Sequence, residues 1–140
     1  MATSINEVMT HDPHTVSPQD PVTRAARFMR EDDVGALVVE RDGEIAGIVT
    51  DRDIVVRGIA DGRDPDDVRI EEVATTGNVL TIPIDASIDD AITLMREHNV
   101  RRIVVEQDGR PAGVVSLGDL AIERDPGSVL GDISAEPPNN

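Results

Sequence analysis

Gly47-Ile48-Val49-Thr50-Asp51-Arg52-Asp53-Ile54 is a short apolar run that ends on a hydroxyl residue, with an Asp three positions later and an apolar residue after that. The order returns 66 positions on as Gly113-Val114-Val115-Ser116-Leu117-Gly118-Asp119-Leu120. Outward from this pair, Thr15–Val55 aligns with Thr81–Ala121 without a gap. Met29-Arg30-Glu31 matches Met95-Arg96-Glu97, Val38-Val39-Glu40 matches Val104-Val105-Glu106, and Asp42-Gly43 matches Asp108-Gly109. That density over a gapless span is a duplication.

Each copy reads alike. A short extended piece (Thr15-Val16; Leu80-Thr81-Ile82) leads into a helix. In the first copy Asp20 is the expected N-cap, with Pro21 at the first helical position, where its missing N–H costs nothing. Val22, Ala25, Ala26, Phe28 and Met29 form an apolar stripe at helical spacing, as do Ile88, Ala91, Ile92, Leu94 and Met95, with Ser87 or Asp85 near the second cap. Strands Ala36–Glu40 and Arg102–Glu106 follow. Asp-Gly between β-branched runs predicts tight hairpins, because that turn needs positive φ. The strands return over Ile45–Val49 and Ala112–Val115, and a second helix starts after Thr50 and after Ser116. The order is β-α-β-β-α, twice, an α/β (α+β) chain. Residues 1–68 hold the first repeat and a polar linker at Asp61–Arg69, residues 69–133 the second, and 134–140 a frayed tail. Ile70–Thr75 restarts the pattern set by Ile5–Thr10.

Composition excludes several classes. Cys is absent, so disulfides and thiol chemistry are excluded. Phe28 is the only aromatic residue, so the core is built from Val, Ile, Leu, Ala and Met. The chain has 28 acidic against 13 basic residues, all of the latter Arg, for a formal net charge of -15. Such a surface repels nucleic acid and anionic membranes. It suits a salty cytoplasm, where salt screens the self-repulsion, and a halophilic source is the expectation; GC-biased codon usage is the alternative reading of Arg without Lys. No long apolar run and no signal leader is present, so a cytoplasmic protein is expected. His11 and His14 flank Pro13 and make a poor metal pair, and Asp64–Asp67 lacks the spacing of a calcium loop. No metal site and no catalytic constellation is expected, hence no enzyme.

The duplicated unit with Gly-h-h-Thr/Ser-x-x-Asp-h, where h is apolar, resembles the CBS domain, and two in tandem resemble a Bateman module, from about Val8 to about Leu130. The resemblance implies two repeats packed with pseudo-twofold symmetry. It also implies an adenosine-containing ligand (AMP, ADP, ATP or S-adenosylmethionine) in clefts between the repeats, homodimerisation, and a regulatory role toward a partner enzyme or transporter. A ligand-free docking module is the alternative.

The residues fit a nucleotide. Thr50 and Ser116 stand where a strand yields to a helix, whose free N–H groups favour an anion. Asp53 and Asp119 lie one turn in, where a carboxylate can accept a ribose diol. Gly47 and Gly113 leave room for close backbone approach. Thr-x-x-Asp and Ser-x-x-Asp are equally capping-box patterns. Arg101-Arg102 opens the middle strand of the second repeat, where the first has Gly35-Ala36. Guanidinium suits phosphate through paired hydrogen bonds, and surface ion pairing is the alternative role. Arg101, Arg102, Ser116 and Asp119 form one candidate site. Thr50, Asp53 and Arg52 form a second, expected to bind more weakly because Asp51 adjoins it. The resemblance places adenine near Val16 and Ile82.

Overall fold

The computed structural model describes residues 4–11, 14–77 and 79–124, with side chains described up to residue 120. The expected tail at 134–140 lies outside the described residues. In chain order the elements are β1 (Thr10–His11), β2 (Thr15–Val16), α1 (Val22–Asp32), β3 (Ala36–Arg41), β4 (Glu44–Thr50), α2 (Asp51–Asp53), α3 (Ile70–Val73), β5 (Thr75–Thr76), β6 (Thr81–Pro83), α4 (Ile88–His98), β7 (Arg102–Gln107), β8 (Arg110–Ser116) and α5 (Leu117–Arg124). A 3-10 turn at Ile5–Glu7 precedes β1, and α2 runs on as a π-helical turn, Ile54–Gly58, and a 3-10 turn, Ile59–Asp61.

The expected β-α-β-β-α order is present in both copies. Asp42 and Gly43 have φ of 54° and 81°, and Asp108 and Gly109 have 55° and 79°, the positive values the two hairpins require. Helices α1 and α4 bury Val22, Ala25 and Met29, and Ile88, Ala91 and Met95. Each stops at a left-handed residue, Asp33 or Asn99, whose N–H returns to the carbonyl of Met29 or Met95.

Two local expectations need correction. Helix α1 begins at Val22, with Pro21 as its extended N-cap, one residue later than the sequence suggests. Val22 N–H donates to the Val68 carbonyl at 2.8 Å and Ile70 N–H to that of Asp20 at 2.9 Å, so Pro21 is held extended by tertiary pairing. The segment expected as an exposed linker therefore ends inside the fold: Val68 is 1% exposed.

Two four-stranded sheets result, ordered β2-β3-β4-β5 and β1-β8-β7-β6. β2 lies parallel to β3 and β6 to β7; β3–β4, β4–β5 and β1–β8 are antiparallel. The leading segment of each repeat thus pairs with the strands of the other. The division at 68/69 follows the repeat in sequence, whereas the packing groups 4–11 with the second-repeat strands and 69–77 with the first-repeat strands. One unit closes on Val22, Leu37, Val39, Val49 and Ile70, the other on Ile5, Ile88, Ile103, Val105 and Val115. Among the described residues no helix is long and apolar enough to cross a membrane.

The glycines of the opening stretch have a use other than the one expected. A Cβ on Gly47 would stand 2.4 Å from the Thr75 carbonyl oxygen, and one on Gly113 2.4 Å from that of Thr10 and 2.7 Å from Met9 Sδ. The close approach they permit is that of the chain itself, through β5 and β1.

Candidate functional site

The strand-to-helix turn closes as a capping box in both repeats. Thr50 Oγ1 accepts from Asp53 N–H at 3.1 Å, and Thr50 N–H donates to Asp53 Oδ2 at 3.0 Å. Ser116 and Asp119 repeat this with the same distances, 3.1 and 3.0 Å. Two helix-start donors are satisfied reciprocally each time. Each hydroxyl keeps its own proton to donate, and among the described residues each Asp Oδ1 has no partner.

Backbone bonds bring the middle strand to this turn. Leu117 N–H donates to the Arg101 carbonyl at 2.8 Å, and Asp51 N–H to that of Gly35 at 3.0 Å. In the second repeat, Arg101, Arg102, Ser116 and Asp119 are therefore gathered around one helix start. Arg101 is exposed and Arg102 half-buried. Neither joins an ion pair among the described residues. Arg27, Arg30, Arg52, Arg96 and Arg110 are likewise unpaired, so it is position at the turn that sets Arg101 and Arg102 apart.

The first turn differs electrostatically. Gly35 and Ala36 replace the two Arg, and Asp51 Oδ1 accepts from Arg52 N–H at 2.8 Å, placing a carboxylate at the helix start. The corresponding residue of the second turn is Leu117, 43% exposed. Val16 and Ile82 are 3% and 2% exposed, with side chains enclosed in the two cores. Beside them, β2 leaves Thr15 half-buried and β6 leaves Thr81 and Pro83 exposed.

An open cavity of about 590 Å³, lined by Ile82, Pro83, Asp85, Ala86, Asp90, Thr93 and Leu94, adjoins α4. Of these, only Ile82 was expected beside a ligand; Asp85 and Leu94 were read as a cap candidate and part of the apolar stripe, and Asp90 closes the capping box of Ser87. Among the described residues no group of three or more His, Asp or Glu is arranged to hold a metal. His11 Nε2 lies 2.7 Å from the Asn6 carbonyl, and His14 pairs with Asp32 while stacking on Phe28 at 4.2 Å. Asp64–Asp67 folds as a turn, with Asp66 N–H on Asp64 Oδ1 at 3.0 Å.

The sequence profile of the CBS domain matches residues 5–58 and again 70–124. The chain belongs to the CBS-domain family. The CBS domain-containing protein YhcV of Bacillus subtilis is 38% identical over 135 residues, covering 94% of this chain and 95% of that protein. Hypoxic response protein 1 of Mycobacterium tuberculosis is 36% identical, covering 85% and 83%. A crystal structure of Hypoxic Response Protein I with two coordinated zinc ions superposes with a TM-score of 0.72 at 36% identity, over 85% of this CBS protein and 97% of that chain. The hexameric CBS-CP12 protein from bloom-forming cyanobacteria superposes with a TM-score of 0.77 at 26% identity, over 92% and 78%. Two sheets with flanking helices in a two-repeat CBS arrangement are thus the shared fold.

Proposed function

We propose that this CBS protein is a non-catalytic regulatory module that binds an adenosine-containing nucleotide at the second strand-to-helix turn and answers by shifting its self-association or its hold on a partner enzyme or transporter. The observation that carries this is the Leu117–Arg101 backbone bond, which sets two Arg with no ion-pair partner among the described residues beside the start of α5. Guanidinium forks and helix-start N–H groups both favour phosphate oxygens. The capping box leaves the Ser116 hydroxyl proton and Asp119 Oδ1 for a ribose, so the cap and the ligand contact coexist. The first turn, with Asp51 in place of Leu117 and no basic strand start, takes the weaker or less phosphorylated ligand. Signalling requires that the nucleotide bind one arrangement of the protein better than another. Zinc is not part of this reading, since among the described residues no group of three or more His, Asp or Glu is arranged to hold it.

A second reading, a ligand-free docking module that dimerises and holds a partner, is favoured by two features. Both motifs are already satisfied as caps, and Val55, Val56 and Ile59 stand about half exposed. A thermal-shift screen at high salt with AMP, ADP, ATP, S-adenosylmethionine and NAD, with and without magnesium, separates the two. Ligand at 100 times its dissociation constant adds about 2.7 kcal/mol, a rise of several degrees. The expected result is a selective shift lost in Arg102→Ala. No shift with any of the compounds would leave the docking reading in its place.

A further inference from the structure

The two repeats differ at the start of their first helix. In the first repeat the Arg24 guanidinium carbon lies 5.2 Å from the centre of the Phe28 ring, and Arg24 Nε pairs with Asp20 Oδ2 at 3.5 Å. Gln19, beside Asp20, donates to Glu71 at 3.2 Å and accepts from Arg69 at 2.6 Å. At the matching positions of the second repeat, Arg24 becomes Asp90, Phe28 becomes Leu94, Asp20 becomes Ala86 and Gln19 becomes Asp85. A carboxylate thus stands where the first repeat has its guanidinium, and the open cavity of about 590 Å³ lies there. Ile82, Pro83, Ala86 and Leu94 give it apolar walls. Asp85, Asp90 and Thr93 are its polar groups, and no basic residue lines it. Among the described residues Asp85 has no hydrogen-bond or ion-pair partner, and Asp90 engages only Oδ2, which accepts from the Ser87 N–H at 3.3 Å. Apolar walls with a few convergent polar groups, at this volume, are the usual make-up of a small-molecule site.

We infer that this cavity binds a small organic cation, a guanidinium carried on a short aliphatic chain. Asp85 and Asp90 Oδ1 accept its N–H groups, the Thr93 hydroxyl accepts another, and the aliphatic chain lies on Pro83, Ala86 and Leu94. The ligand supplies from solution the guanidinium–carboxylate pair that the first repeat makes within its own chain. The site is separate from the nucleotide turn proposed above. Pro83 pairs with Glu106 near the hairpin end of β7, whereas Arg101 precedes the other end of that strand.

Titration of the whole chain with butylguanidinium at about 0.15 M salt, followed by calorimetry and amide NMR shifts, tests this. Tetramethylammonium is the control, a cation with apolar surface but no N–H. Salt screens the general attraction of a chain of net charge -15 for any cation. The expected result is saturable binding of butylguanidinium, with shifts centred on residues 82–94 and an affinity about tenfold or more above the control, as charge-assisted hydrogen bonds provide. Asp85→Asn/Asp90→Asn keeps an oxygen for the Ser87 cap and weakens binding by about tenfold or more. Ala86→Asp/Asp90→Arg copies the Asp20–Arg24 pair into the second repeat and abolishes binding, because the cavity then holds its own guanidinium. Circular dichroism verifies that both variants fold, and the location of the wild-type shifts decides the matter if one does not. Equal affinity for the two cations, shifts spread over the acidic surface, or binding unchanged in both variants overturns the site.

Discussion

Arg101 and Leu117 are joined by one backbone hydrogen bond of 2.8 Å, from the N–H that opens α5 to the carbonyl just before β7. That bond ties the strand carrying two arginines to the helix capped by Ser116 and Asp119. The equivalent bond, Asp51 to Gly35 at 3.0 Å, builds the same turn without the arginines. One scaffold, duplicated, thus holds two turns of different charge.

Stability and ligand response separate by residue. Ser116→Ala and Thr50→Ala each remove an N-cap and lower stability by about 1 kcal/mol. Arg102 joins no ion pair among the described residues, and Arg102→Ala leaves stability within about 0.5 kcal/mol, as surface changes usually do. Urea unfolding without ligand, set beside the thermal shift with nucleotide, reads both effects. Loss of the shift in Arg102→Ala at unchanged stability assigns it to the ligand.

Gly113→Ala is expected to destabilise by about 1–3 kcal/mol, the range for forcing atoms into filled space. The added methyl meets the Thr10 carbonyl and Met9, so β1 must leave β8 or shift along it. Gly47→Ala does the same to β5 through Thr75. Hydrogen exchange at the amides of residues 10 and 11 should rise in Gly113→Ala before global unfolding. Unchanged protection there would show that the close approach is not a constraint.

Glu72 predicts a pH effect of known sign. The Arg69 N–H, 2.7 Å from Oε2, and then the Arg63 guanidinium, 2.9 Å from Oε1, hold its pKa below the ordinary 4.5. The folded state therefore binds this proton less readily than the unfolded chain. The contribution is present above pH 4.5 and is lost as the pH falls through the lowered folded value. Glu72→Gln is less stable than the parent at neutral pH, and the difference closes in acid. Urea midpoints across pH 2–7 measure it; a gap of constant width would refute the link.

Salt should stabilise. Against 28 acidic residues the ion pairs among the described residues are few and solvent-exposed. Net repulsion at -15 outweighs them, and screening relieves it, to within roughly 3 Å at 1 M. Melting in potassium chloride is expected to rise by several degrees between about 0.05 and 1 M, by the usual conversion of about 1 kcal/mol into degrees. A falling melting point would mean that the ion pairs dominate, and the halophilic reading would go with it.

Much of this protein is written locally. The hairpins at Asp42-Gly43 and Asp108-Gly109, the caps at Thr50, Ser87 and Ser116, and the buried stripes of α1 and α4 each depend on residues within four positions of one another. Such interactions leave a period or a spacing that can be read without coordinates. The duplication likewise needs only the sequence. What the tertiary structure alone decided are the pairings between distant segments. β1 joins β8 across about a hundred residues and β5 joins the preceding repeat, and no local pattern encodes which sheet edge a two-residue strand will take. The same pairing held Pro21 outside the helix, enclosed Val68, and turned Gly47 and Gly113 from candidate ligand approaches into seats for neighbouring strands. The candidate site divides the same way: Ser116 and Asp119 were legible as a motif, but their meeting with Arg101 depends on a hydrogen bond that only the folded sheet can make.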